Sequence, residues 1–170
     1  PLLKLGFTLA YVVLAPVAGP LADAFPKGRL MACMNAIKGV AALALLAGAN
    51  PVLAFTLAGL GAAGYAPAKY GLITELVPPR QLVRANGWIE VSVVCAALLG
   101  AGLGGYLVSP HWLEGPLAGA WRDAVDAWAM PVASGVGLGA PLALSIACLA
   151  GLYLLAGLIN LPVPASQARY

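Results

Sequence analysis

The chain of 170 residues has 62% hydrophobic and 9% charged residues, a net charge of +3 and a mean hydropathy of +0.92. That excludes an ordinary soluble domain, in which about a quarter of residues are charged. The dispersed cations form no basic stripe with interleaved aromatics, which excludes a nucleic-acid-binding module, and apolar runs of about 20 residues without alternation indicate a polytopic α-helical membrane protein rather than a β-barrel.

The first predicted span covers residues 5–22, with Lys4 at its outer end and Pro16 inside it, where neighbouring helices can satisfy the freed carbonyl. A charged loop, Asp23-Ala24-Phe25-Pro26-Lys27-Gly28-Arg29, leads to the second span, residues 30–49. This span carries Asn35 and Lys38 in its first turns. Lys38 is expected to lay its apolar stem along the helix and return its ammonium to the loop end, with a substrate role as the alternative. Asn50-Pro51 makes a tight turn into the third span, residues 52–77, and Pro78-Pro79 ends it because consecutive prolines cannot continue a helix.

The third span holds the run on which the reading centres, Gly59-Leu60-Gly61-Ala62-Ala63-Gly64-Tyr65-Ala66-Pro67-Ala68-Lys69-Tyr70-Gly71. A charged side chain at mid-membrane costs roughly 2.5–3.5 kcal/mol on insertion scales, so it normally faces a cavity or a partner. Pro67 removes one helix hydrogen bond and the glycines let neighbouring helices approach closely. Lys69, with Tyr65, Pro67 and Tyr70, is therefore the candidate substrate-binding or gating group. The alternative is that Lys69 snorkels, which at nine residues before Pro78 needs about 13 Å of reach.

Gln81 to Asn86 lead into the fourth span, residues 87–108, with Glu90 in its first turn, where a carboxylate meets the positive end of the helix dipole. Gly100 and Gly104 put small residues four apart on one face, a close-packing surface. Between this span and the fifth, residues 141–161, lies an insertion of residues 109–140. In it Leu117, Trp121, Val125 and Trp128 recur at three- and four-residue steps, opposite Arg122, Asp123 and Asp126. An interfacial amphipathic helix, a loosely ordered loop and a lid over a cavity mouth all remain open for it.

Lys27, Arg29, Arg80, Arg84 and Arg169 fall on one side of the five spans, the turn at Asn50 has no cation and the long insertion has only Arg122. The positive-inside rule puts the first group in the cytoplasm and the insertion outside. Asp23, Arg29, Glu75 and Glu90 then share the cytoplasmic ends of their spans, and an ion-pair network is expected there with Arg29 between Asp23 and one glutamate. The chemistry of catalysis is missing: His111 stands alone, no Ser or Cys nucleophile has a base nearby, and no phosphate-binding Gly-rich loop with Lys and Ser/Thr occurs. Cys33, Cys95 and Cys148 suit neither a metal site nor a disulfide framework, and no cofactor is expected.

At Gly19-Pro20-Leu21-Ala22-Asp23 followed by Gly28-Arg29 the chain resembles the loop between helices 2 and 3 of the major facilitator superfamily. The usual pattern has a basic residue directly after the Asp and the Gly three residues on. Here Ala24 takes the first place and Gly28 comes two residues late, which is similar to one bacterial branch, the lysophospholipid transporter family. Tyr11-Val12-Val13-Leu14-Ala15-Pro16, Lys27-Gly28-Arg29, Gly61-Ala62-Ala63, Pro67-Ala68-Lys69-Tyr70-Gly71 and Ala85-Asn86-Gly87 with Glu90 resemble segments of that branch as well, and after Val108 the likeness fades.

The resemblance implies a partial N-terminal six-helix bundle, the spans standing for helices 2 to 6 of a twelve-helix transporter, with Gly19, Asp23, Arg29, Glu75 and Glu90 at the cytoplasmic gate. The run from Gly100 to Gly105 looks like a variant of the superfamily's glycine-rich antiporter motif, with Ala101 in its proline position. Opening at Pro1 without an initiator Met, the chain is expected to be a fragment lacking helix 1 and the second transporter half. The implied function is movement of lysophospholipids, lysophosphatidylethanolamine above all, across the inner membrane by alternating access for reacylation. The partners implied are membrane lipids and an acyltransferase/acyl-carrier-protein synthetase, separate or fused. The competing readings are a generic facilitator-type exporter of small amphiphiles and a non-transporting scaffold or truncated paralogue.

Overall fold

The structure, a computed structural model, describes residues 2–109, 127 and 139–163. Among them run five long helices: α1 (Leu2–Ala24), α2 (Lys27–Leu46), α3 (Pro51–Leu76), α4 (Leu82–Leu107) and α5 (Ala140–Asn160), with a 3-10 turn at Pro79–Gln81. Each is long and apolar enough to cross a membrane. At 1.5 Å per residue the shortest, of 20 residues, spans about 30 Å, one hydrocarbon core. The protein is an all-α membrane protein. Most of the insertion, with the Leu117, Trp121, Val125 and Trp128 of its predicted interfacial helix, lies outside the described residues, as do His111, Arg122 and Arg169.

The helix ends follow from local chemistry. Asn50 caps α3 by accepting from the Val52 N–H at 2.9 Å, with Pro51 at the first helical position. α2 stops at Leu46, before the predicted end of its span at residue 49, because Gly48 takes φ 87 and closes a Schellman motif. In that motif the Gly48 N–H donates to Leu45 O at 3.2 Å and the Ala49 N–H to Ala44 O at 2.9 Å. α3 ends where Val77 turns extended (ψ 130) and Pro78 likewise (ψ 144), each being followed by a proline that disfavours the helical region. At their other ends α2 and α4 begin before the predicted apolar spans, at Lys27 and Leu82. Their first turns are polar, and a helix continues into the headgroup layer where hydropathy no longer marks it.

The helices pack as a chain of neighbours: α1 lies on α3, α3 on α2 and α2 on α5. Small residues make the seams. α1 buries Gly6, Ala10, Ala18 and Ala22, all on one i+4 stripe, and α3 buries Ala54, Gly59, Gly61, Ala63, Gly64 and Ala68. Between membrane helices the solvent is as apolar as the side chains, so association depends on close van der Waals approach. Gly59 is the tightest case: a Cβ there would lie 2.5 Å from the Phe7 carbonyl oxygen of α1. On the next face, a Cβ at Gly61 would lie 2.8 Å from both Met34 O and Lys38 Cγ of α2. α3 continues through Pro67 as one helix.

α4 is different. It meets α3 and α5 at few points and buries no residue. A Cβ at Gly100 or Gly104 would find nothing within 4 Å, so the face read as close-packing has no partner among the described residues. The reason is placement, since α4 stands at the edge of the bundle and presents Leu98, Leu99 and Leu103 outward.

Candidate functional site

The candidate side chains lie on α2, α3, α4 and α5. Near the cytosol-directed end predicted from the loop cations, α2 opens with Lys27, whose ammonium pairs with the Glu75 carboxylate of α3. The two side chains are 11% and 19% exposed, which makes this a shielded pair rather than a surface one. Gly71 makes it possible, because a Cβ there would sit 2.7 Å from Lys27 Cε, so the lysine stem crosses α3 where no side chain stands.

This corrects the expected network. Arg29 forms no ion pair with Asp23, Glu75 or Glu90; it is exposed and lines a groove against α5 with Cys33, Gly157 and Leu161. Asp23 is exposed, and Gly19 has nothing within 4 Å of its Cβ position. The physical reason is the helix start. With α2 beginning at Lys27, Arg29 is rotated by about 200° from Lys27 at 100° per residue, toward α5 and away from α3.

Lys69 is half-buried, with its ammonium 4.5 Å from the ring centroid of its neighbour Tyr70. The Tyr70 hydroxyl donates to the Glu90 carboxylate of α4. Lys69, Tyr70 and Glu90 thus form one relay from α3 to α4, joining two residues that the sequence placed in separate groups. Replacing Tyr70 by Phe keeps the ring beneath the ammonium and removes the tie to α4. We expect faster backbone hydrogen exchange in the first turns of α4 in the Phe variant, and the same change in Glu90→Ala, which removes the acceptor. Equal exchange in wild type and both variants would show that the tie does not hold α4.

Lys38 departs from its expected position. It is the twelfth residue of α2, and its ammonium does not return to the loop. Instead it lies 4.4 Å from the Tyr65 ring of α3 and 5.0 Å from the Tyr153 ring of α5. Its stem is guided there by the missing side chain at Gly61. Lys38 and Tyr153 form one wall of a cavity of about 230 Å³ between α1, α2, α3 and α5, whose other walls include Phe7, Ala41, Phe55 and Leu149. One turn earlier on α2, Asn35 is 2% exposed and its Nδ2 has no acceptor among the described residues. Tyr65, which the sequence grouped with Lys69, therefore serves a different lysine. Tyr153 was missed, and the only available signal was a hydroxyl-bearing ring in the most hydropathic of the five spans.

Among the described residues the arrangement brings no nucleophile and base together. It consists of ammonium groups set against aromatic faces and apolar walls, suited to meeting an anion that carries a hydrocarbon chain.

Comparison with known proteins gives the same direction. The chain is similar to the lysophospholipid transporter LplT of Yersinia pestis (strain Pestoides F) and that of Yersinia pseudotuberculosis serotype O:3 (strain YPIII). Each is 47% identical over 111 residues, covering 65% of this chain and 27% of the relative. The match thus spans about a quarter of the length of these curated relatives. No solved structure matches the chain. Residues 2–166 match the profile of the Major Facilitator Superfamily, nearly the whole sequence, and with five apolar helices of membrane length the chain belongs to that superfamily.

Proposed function

We propose that the complete protein is a lysophospholipid transporter of the bacterial inner membrane, a carrier and not an enzyme. It moves lysophospholipids of the lysophosphatidylethanolamine type from the outer to the inner leaflet by alternating access. The observation that carries this reading is the bundle interior: greasy walls, few neutral polar groups and ammonium groups held among them. A sugar carrier needs many hydrogen-bonding side chains; a single-chain phospholipid needs apolar volume for its tail and a charge-assisted bond for its phosphate. The relatives, lysophospholipid transporters by name, point to the same substrate class.

In this reading α1 to α5 stand for helices 2 to 6 of a twelve-helix transporter, rocking against a second half around a central site. The positive-inside rule sends the end bearing Lys27, Arg29, Arg80 and Arg84 to the cytoplasm and residues 109–140 to the periplasm. Lys69 either attracts the lipid phosphate or pairs with an acid on another helix to gate the cavity, with Tyr65, Pro67 and Tyr70 shaping its surroundings. The Lys27–Glu75 pair latches α2 to α3 at the cytoplasmic gate. The product is reacylated by an acyltransferase/acyl-carrier-protein synthetase, separate or fused.

The test is uptake of labelled lysophosphatidylethanolamine by vesicles containing the full-length protein. Wild type is expected to transport it, and Lys69→Ala to lose at least about 90% of the rate with unchanged folding, the loss of one charge-assisted contact being worth roughly 1.5–3 kcal/mol. No lysolipid uptake by wild type removes the reading, and full activity in Lys69→Ala removes both roles given to Lys69.

A further inference from the structure

The second lysine offers more than the sequence suggested. Lys38 lies midway along α2, 11 residues after Lys27 and 8 before Leu46, or about 16 Å and 12 Å from the two helix ends. A lysine stem covers about half of the shorter distance, so the ammonium does not reach either headgroup layer. It has no carboxylate within ion-pair distance among the described residues. Two aromatic faces attract it, which offsets part of the cost of a charge at mid-membrane, while its hydrogen-bond donors have no acceptor among the described residues. Close by, the amide Nδ2 of Asn35 is also without an acceptor.

The cavity beside this ammonium has a volume of about 230 Å³ and is lined almost wholly by apolar side chains, which suits an acyl chain. We propose that Lys38, framed by Tyr65 and Tyr153, is an anchor for the phosphate of a single-chain lipid whose tail enters the cavity between α1, α2, α3 and α5. The proposal rests on the transport reading above and deepens it, adding a site inside this bundle apart from Lys69. The tyrosine rings hold the ammonium at the cavity wall, while the stem is fixed where Gly61 leaves room for it.

The experiment uses the full-length protein in nanodiscs and measures binding separately from transport. The probes are lysophosphatidylethanolamine and a monoacylglycerol of the same chain length, which has the tail and no phosphate. Wild type is expected to prefer the phosphate lipid. Lys38→Gln is expected to weaken that binding about tenfold while leaving the monoacylglycerol unchanged, and Lys38→Arg to retain most of the preference. A lysolipid with a photoreactive group in its tail, bound to wild type, is expected to label α2 and α5 around Ala41 and Leu149. Equal phosphate-lipid binding by wild type and Lys38→Gln, or labelling confined to other helices, overturns the proposal. The photolabelling arm reads wild type alone and stands even where a Lys38 variant does not fold. Lys38-dependent binding without any transport by wild type would support this site and remove the transport reading; transport with Lys38-independent binding would do the reverse.

Discussion

Replacing Gly59 by Val in the full-length protein is expected to prevent it from accumulating in the membrane as a folded species. α1 and α3 touch through backbone at this position, since a Cβ on residue 59 would stand 2.5 Å from the Phe7 carbonyl oxygen and 3.1 Å from Phe7 Cα. A flexible side chain in the way could swing aside, but a helix backbone cannot. The helices must separate along the seam, and every small-residue contact from Gly6 to Ala22 loosens with them. Overpacking a tight site by one methyl costs about 1–3 kcal/mol, and Val adds three carbons. Since a membrane bundle gains no hydrophobic burial between its helices, little else compensates. Thermal melting in detergent with a fluorescent thiol probe measures the effect. Gly59→Ala should melt at lower temperature and Gly59→Val should give no folded fraction, while Gly151→Ala, where nothing lies within 4 Å, should melt like wild type. A Gly59→Val protein of normal stability would show that the α1–α3 approach is looser than described.

The second large effect is expected from the Lys27–Glu75 pair. Removing one partner of a buried pair costs about 3–5 kcal/mol because a desolvated charge is left behind, and at 11% and 19% exposure this pair approaches that limit from below. Lys27→Ala and Glu75→Ala should each destabilise the bundle at the α2–α3 junction. The exchange Lys27→Glu with Glu75→Lys should recover much of the loss, because the two charges still meet across Gly71. Raising salt from low to physiological strength should change these differences little, since a shielded pair is weakly screened. Double-mutant cycles on melting temperature decide the matter, and strictly additive losses in the cycle would mean that the two charges do not interact. The same substitutions at Arg29 should be near neutral for stability, as it is exposed and unpaired by acids among the described residues.

Lys38 and Lys69 illustrate how differently one residue type can be legible. For Lys69 the surrounding motif drew attention, yet the structure sets its ammonium on the adjacent ring, a contact within one helix. For Lys38 the sequence had only a distance to the loop, measured from a span that starts three residues too late. Once α2 starts at Lys27, Lys38 moves to mid-helix and snorkelling fails on reach alone. The two tyrosines that hold it come from α3 and α5, separated from it by 27 and 115 residues in sequence. No local pattern could have joined them.

What the amino-acid sequence determined by itself is the class of solution. Bilayer-length apolar runs force backbone groups to pair within each segment, so five helices of membrane length follow from hydropathy. Asn50-Pro51 and Pro78-Pro79 start and stop helices through restrictions that act over one or two residues. The lateral order of those helices was decided only in three dimensions. That order depends on which glycine faces which backbone, as Gly59 faces Phe7 and Gly61 faces Met34, and helix rotation turns a one-residue error in a start into 100° of direction. For that reason Lys27 and not Arg29 meets Glu75, and a lysine expected at the surface lines a cavity in the interior.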